Sequence, residues 1–91
     1  MYEIIATKQF LKGYKRSIAR KLDILLLDKL IVELSETGTV PQNHKPHILT
    51  GNLKGLHECH IKPDWLLIWE TSKSTKTITL LATGSHSDLF E

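Results

Sequence analysis

The chain has 91 residues, of which 41% are hydrophobic and 24% charged, and its formal net charge is +2. These values indicate one globular domain over residues 1–91 with a single modest core. No apolar run approaches the roughly 20 residues of a membrane-spanning helix, so no membrane partner is predicted. The start lacks the basic and long apolar segments of a secretory signal. The single cysteine excludes an internal disulfide and fits a reducing cytoplasm, where we expect the protein to act.

The first part of the chain predicts a short strand followed by two helices. Residues 2–6 are short and β-branched, as in a strand, and Thr7 is placed to cap the helix after it. Asp23 is a second cap candidate, while Gly38 ends the second helix and Pro41 prevents its continuation. Apolar residues recur at helical spacing in both segments. The two faces comprise Phe10, Leu11, Tyr14 and Ile18, then Ile24, Leu27, Leu30, Ile31 and Leu34.

The rest of the chain predicts a long polar loop and three strands. The loop covers residues 39–54, and loops of this length are often functional. The predicted strands cover residues 56–61, 65–69 and 77–83, with a turn at 62–64 and a polar hairpin loop at 71–76. The order β-α-α-β-β-β indicates an α+β fold, in which two N-terminal helices pack on a small, mostly antiparallel sheet.

All five histidines lie between residues 44 and 86 of the chain. They are His44, His47, His57, His60 and His86. Histidine changes its charge near neutral pH, so a group of imidazoles suggests proton transfer or metal binding. A zinc site is disfavoured, because the neighbouring Cys59 and His60 would point to opposite faces of a strand. We therefore predict no metal and no other cofactor.

Acid–base chemistry is the other interpretation of these histidines. His47, His60 and His86 fall in a loop or at strand ends, where functional residues concentrate. With Asp64 they could surround one phosphodiester, and imidazoles suit both proton transfers of RNA cleavage. Each residue also has a structural explanation, since Asp64, for example, fits the turn. The spacing alone leaves both interpretations open.

Positive charge is concentrated in the first predicted helix. The residues are Lys8, Lys12, Lys15, Arg16, Arg20 and Lys21, against one acidic residue, Glu3. Such a helix can be a solvated outer face or a surface that contacts nucleic-acid phosphates. The charge pattern does not distinguish these two functions.

Four segments of the chain closely resemble the YafQ family of bacterial type II toxin–antitoxin toxins, within the RelE/ParE superfamily. They lie at residues 47–51, 53–55, 58–68 and 83–90. Two motifs are quite specific, H-x-x-P-D-W at residues 60–65 and G-S-H-S-D-L-F at residues 84–90. The similarity extends over essentially the whole chain, and the predicted order of elements agrees with the RelE-like fold.

The resemblance implies a toxin that is a ribosome-dependent, metal-independent mRNA endonuclease acting on codons in the A site. A small antitoxin would neutralise it, and operator DNA would be contacted only through that antitoxin. By motif match, the catalytic set falls on His47, His60, Asp64, Trp65, His86 and Phe90. The predicted contacts with RNA and the ribosome are Lys8, Lys12, Lys15, Arg16, Arg20, Lys54 and Lys62.

The roles within this set are also expectations from the resemblance. Asp64 or His60 would be the base and His86 the acid. His47 would help to hold the phosphate, and Phe90 would stack on a nucleobase or position the tail. Trp65 would support the geometry of the site. The sequence does not fix which histidine performs which step.

Three positions depart from the family pattern, residues 46, 48 and 57. The family usually has Asp-His-Pro at residues 46–48, and often Arg in place of His57. An imidazole is mostly neutral at pH 7 whereas a guanidinium is always charged, so we expect weaker or more pH-sensitive turnover than in relatives.

Two other functions stay open, a ParE-like gyrase inhibitor and a degenerate toxin acting only as a co-repressor. Several histidines near the tail favour the nuclease.

Overall fold

The computed structural model describes residues 1–90 and arranges them as a five-stranded sheet with three α-helices. The strands are β1 (Glu3–Ala6), β2 (His47–Ile48), β3 (His57–Lys62), β4 (Trp65–Ser72) and β5 (Thr77–Gly84), and the helices are α1 (Lys8–Ala19), α2 (Ile24–Thr37) and α3 (His86–Phe90). The sheet order is β1-β5-β4-β3-β2, with β1 parallel to β5 and the other neighbours antiparallel. The predicted α+β architecture is confirmed. Within residues 1–90, no helix is long and apolar enough to cross a membrane.

The ends of the two long helices follow the signals in the sequence. The Thr7 hydroxyl accepts a hydrogen bond from the Phe10 N–H at 3.1 Å and so caps α1. Gly38 ends α2 in the left-handed conformation, with φ +81°, which glycine adopts without strain. Asp23 occupies the N-cap position of α2, but its side chain makes no capping hydrogen bond there. Only this last expectation fails.

One face of the sheet packs against α1 and α2 and forms the main core. The core cluster contains Phe10, Leu27, Leu30, Leu34, Val40, Cys59, Ile61, Trp65, Leu67, Trp69, Ile78 and Leu80. All of residues 65–69 are buried, as their continuous apolar pattern predicts. The predicted inner face of α1 is partly wrong, since Leu11 and Ile18 are 46% and 51% exposed. This helix buries Gly13 and Ser17 beside Phe10 instead, because it lies very close to β5.

Two short elements were not predicted, and both position the site. Within the 39–54 loop, residues 47 and 48 form the edge strand β2, where His47 pairs with Glu58 and Ile48 with His57. After β5, the chain turns into α3, which begins at His86. The predicted order β-α-α-β-β-β therefore gains one strand before β3 and one helix at the end.

Thr83 connects β5 to β4 through two buried hydrogen bonds. The Trp65 indole N–H donates to the Thr83 hydroxyl at 3.1 Å, and that hydroxyl donates to the Leu66 carbonyl at 2.7 Å.

Thr83→Val keeps the side-chain shape but leaves the buried indole N–H without an acceptor. We expect the free energy of unfolding to fall by about 1–2 kcal/mol, as measured by urea denaturation. Thr79→Val, at a half-buried threonine of the same strand, is the control, and equal effects of both would contradict the assignment.

Candidate active site

The sheet face opposite α1 and α2 carries the predicted acid–base residues. On β3 the side chains alternate, so Glu58 and His60 lie on this face while Cys59 is buried in the main core. The predicted separation of Cys59 from His60 is confirmed. Burial raises the pKa of the Cys59 thiol to about 12, so the thiol stays protonated at neutral pH.

Four predicted residues place their rings in a row across this face. The ring centroids of His47 and His60 are 6.4 Å apart, those of His60 and His86 are 5.9 Å apart, and those of His86 and Phe90 are 6.4 Å apart. Three elements, β2, β3 and α3, thus bring together residues that are up to 43 positions apart in the sequence, from 47 to 90. We call these four residues the ring row.

Asp64 holds His86 through two contacts. Asp64 Oδ1 accepts the His86 backbone N–H at 2.9 Å and lies 2.6 Å from His86 Nδ1. The backbone hydrogen bond, followed by the side-chain one, holds the pKa of Asp64 below its usual value. The carboxylate is therefore ionised at neutral pH and keeps a proton on His86 Nδ1. His86 Nε2 is then the nitrogen that can exchange a proton with a substrate.

His60 has its ring nitrogens arranged for the complementary role. Its Nδ1 lies 3.2 Å from the Pro63 carbonyl oxygen, an acceptor, so Nδ1 carries the proton and Nε2 is the basic nitrogen of the neutral ring. The His60 carbonyl accepts a hydrogen bond from His44 Nδ1 at 2.8 Å. His44, which the sequence assigns only to the loop, therefore fastens that loop to β3.

His47 is held by Glu58, a residue that the sequence analysis did not identify. His47 Nε2 is 3.1 Å from Glu58 Oε1, and His47 Nδ1 is 2.9 Å from the Lys45 carbonyl oxygen. Glu58 is only 6% exposed although its side chain ends in a carboxyl group. The sequence did contain a signal for Glu58, because residues 58 and 60 share a face of any strand that contains both.

Trp65 and Phe90 occupy different environments. Trp65 is 3% exposed within the main core and lies outside the ring row. Its indole is fixed to Thr83, so it anchors the start of β4 directly after Asp64. Phe90 is 45% exposed at the end of the ring row, where its ring is accessible for stacking.

The predicted RNA-contacting cations fall into two groups. Lys8, Lys12, Lys15, Lys54 and Lys62 are exposed. Lys62 and Lys45 also line a cleft of about 370 Å³ beside His60. The two arginines contact the protein itself, since Arg20 binds both carboxylate oxygens of Asp88 and Arg16 Nη2 donates to the Thr83 carbonyl at 3.1 Å.

His57 lies on the helix-covered face and not with the ring row. Its ring stacks on Trp69, with centroids 5.4 Å apart and planes 10° apart. Burial lowers the pKa of His57, and the positive charge of Lys73 lowers it further. The position opposite His60 disfavours direct contact between His57 and a phosphate in the ring row.

Residues 2–91 match a family described as the bacterial toxin of the type II toxin–antitoxin system, YafQ. The chain belongs to the YafQ family. The mRNA interferase toxin YafQ of Escherichia coli K12 is 34% identical over 83 residues, which cover 90% of this chain and 88% of that protein. The predicted family membership is confirmed, and the chain is a toxin of a type II toxin–antitoxin system.

Solved structures of relatives share the whole fold. A metal-bound toxin from Helicobacter pylori has a TM-score of 0.89 and is 38% identical, covering 99% of this chain and 100% of that one. A chain of the Escherichia coli DinJ–YafQ complex has a TM-score of 0.87 and is 30% identical, with 100% of both chains covered.

The metal of the Helicobacter pylori toxin raises the question of whether this site fits an ion. Among residues 1–90, no three His, Cys, Asp or Glu side chains converge where one metal ion could be held. The ring nitrogens that contact the protein face carbonyl or carboxylate oxygens. The residues in this arrangement do not fit a metal centre, and the steps below use side chains alone.

Proposed function

We propose that this protein is an mRNA endoribonuclease that cleaves messages in the ribosomal A site. The observation that carries the proposal is the pair of imidazoles that can exchange protons with a substrate, His60 and His86, whose ring centroids are 5.9 Å apart. One is arranged to accept a proton at Nε2 and the other, beside the Asp64 carboxylate, is arranged to carry charge. The name of the Escherichia coli relative, mRNA interferase toxin, supports the same activity.

The proposed reaction is attack of a ribose 2′-oxygen on the adjacent phosphorus. His60 Nε2 takes the 2′-OH proton, the new P–O bond forms, and the bond between phosphorus and the 5′-oxygen breaks. Protonated His86 gives its Nε2 proton to that 5′-oxygen, so the products are a 2′,3′-cyclic phosphate and a free 5′-OH. His60 is the better base of the two predicted candidates, because Asp64 Oδ1 is engaged by His86.

The negative charge that develops on the phosphate requires fixed positive groups. His47 lies next to His60 in the ring row, and both of its ring nitrogens face oxygen acceptors, which suits the charged imidazolium form. Lys62 and Lys45 line a cleft together with His60. These groups would stabilise the transition state electrostatically, and no metal ion is part of the proposed mechanism.

The proposed partners are the ribosome, the message and a cognate antitoxin. The exposed lysines of α1, with Lys54, would contact ribosomal RNA phosphates. The DinJ–YafQ complex supports an antitoxin partner for this chain, with operator DNA contacted through that antitoxin. A gyrase inhibitor or a pure co-repressor has no need of the His60–His86 arrangement, which favours the nuclease over both.

The proposal is tested by controlled expression followed by primer extension on a translated message. We expect growth arrest and codon-phased cuts, which His86→Ala reduces by about 10²- to 10⁴-fold. Lys29→Gln, a charge loss on α2, is the control for an unrelated surface change. Purified protein that has been treated with EDTA and then freed of the chelator should cut ribosome-bound message and leave naked RNA largely intact. Undiminished cuts in His86→Ala, or gyrase inhibition without cuts, would overturn the proposal.

A further inference from the structure

We infer that Arg20 and Asp88 position His86 for proton transfer, and that Arg20 is not an RNA-contacting residue. The two residues and Ser85 form a set of contacts, here called the α3 clamp, that ties α3 to α1. The inference deepens the proposed function, because it depends on His86 being the general acid. It also replaces the RNA contact that the resemblance to the family implies for Arg20.

The α3 clamp has the geometry of a two-point contact. Arg20 Nη1 donates to Asp88 Oδ2 at 2.7 Å and Arg20 Nη2 donates to Asp88 Oδ1 at 3.1 Å. The Ser85 N–H donates to Asp88 Oδ2 at 2.8 Å, and the Asp88 N–H donates to the Ser85 hydroxyl at 3.1 Å. This reciprocal pair fixes the first turn of α3, in the manner of a capping box.

The helix needs such contacts because it is short. α3 has five residues, and isolated helices of that length are unstable in water. Its orientation therefore depends on what the rest of the protein holds. Asp64 binds its first residue, His86, and Arg20 binds Asp88 two positions later. These anchors come from two separate parts of the fold, the β3–β4 turn and the C-terminal end of α1.

The α3 clamp is built into the end of β5 and is more than a surface ion pair. Gly84 is buried, and a Cβ atom added there would lie 2.8 Å from Arg16 Nη2 and 2.9 Å from Asp88 Oδ2. Arg16 adds a contact of 3.6 Å from its Nε to Asp88 Oδ2. The Arg20 hydrogen bonds, chiefly, hold the pKa of Asp88 far below its usual value.

The two roles for Arg20 predict different kinetics. A residue that binds RNA phosphate raises KM when it is removed and makes binding less sensitive to salt, by about one counterion in the salt slope. A positioning residue lowers kcat and leaves the salt slope unchanged, because a small displacement of a reacting group costs up to about 10²-fold in rate.

The experiment measures kcat and KM on programmed ribosomes, at several salt concentrations, for Arg20→Gln, Asp88→Asn and the double variant. We expect each single variant to lose about 10- to 100-fold in kcat with an unchanged salt slope. The double variant should lose little more than either single one, since both remove the same contact. Arg20→Lys should retain only part of the rate, because an ammonium group cannot form the two parallel hydrogen bonds that the guanidinium makes to Asp88. Lys29→Gln is the matched control for charge.

A second measurement does not depend on nuclease activity. In NMR spectra, Arg20→Gln and Asp88→Asn should shift the imidazole signals of His86 and leave those of His57 in place, with the fold retained. A higher KM with unchanged kcat and a flatter salt slope would overturn the inference in favour of RNA contact. Unchanged His86 signals in both variants would also overturn it. A parent protein without cleavage but with the NMR shifts would instead reject only the proposed nuclease.

Discussion

Asp64→Asn is expected to lower the cleavage rate by about 10²-fold or more, within the range for losing acid–base assistance. The amide keeps nearly the same shape but has no negative charge. In the parent, Asp64 Oδ1 accepts one hydrogen bond from the backbone N–H of His86 and one from its Nδ1. Without the carboxylate, the charged form of His86 loses its counter-ion, and a rotated amide would present N–H groups to Nδ1.

The pH dependence of this variant follows from the same contact. The amide of the Asp64→Asn variant does not titrate, so this variant should lack any loss of rate that comes from protonation of Asp64 in acidic solution. The hydrogen bonds from His86 hold the pKa of Asp64 below its usual value. Its charge therefore persists between about pH 5 and pH 8, and the parent should lose this support only in more acidic solution.

The measurement is single-turnover cleavage of ribosome-bound message across this pH range. Glu70→Gln is the matched control, because it removes one exposed carboxylate from β4 with the same change in shape. The control should retain both the rate and the pH profile of the parent. An Asp64→Asn variant with a normal rate and profile would show that His86 does not use this carboxylate.

The parts of the site that could be predicted are those set by local patterns. The period of two along β3 separates Cys59 from His60, and the turn that contains Pro63 and Asp64 joins β3 to β4. Both depend on neighbours within a few residues. Gly38 likewise ends α2 through its own backbone conformation. Short-range chemistry is visible in a sequence, so these features were predicted correctly.

The parts that could not be predicted depend on distant contacts. The α3 helix is too short for a periodic signal, and its anchor joins residues 68 positions apart, Arg20 and Asp88. β2 has only two residues, so its pairing with β3 has no pattern of its own. A run of positive charge also cannot show whether a cationic side chain is free in solvent or contacts the protein. For this reason the sequence groups Arg16 and Arg20 with the lysines as predicted RNA contacts.

The inner face of α1 illustrates a third limit, and Gly13 supplies a test of it. Apolar periodicity favoured Leu11 and Ile18, yet the helix turns its small residues toward β5. A Cβ atom added at Gly13 would lie 2.3 Å from the Thr83 carbonyl oxygen and 3.1 Å from Thr83 Cγ2. The carbonyl belongs to the backbone of a central strand and cannot rotate away. Close packing there requires glycine.

Gly13→Ala is therefore expected to lower the free energy of unfolding by about 3 kcal/mol, at the upper end for an overpacked core. Alanine favours helix by about 1 kcal/mol over glycine, so propensity alone predicts the opposite sign. Lys12→Ala, on the exposed side of α1, is the control in urea denaturation. Any separation of α1 from β5 would also move Arg20 away from α3, so cleavage should fall in variants that still fold. A Gly13→Ala protein more stable than its parent would mean that α1 can withdraw from β5 at no cost.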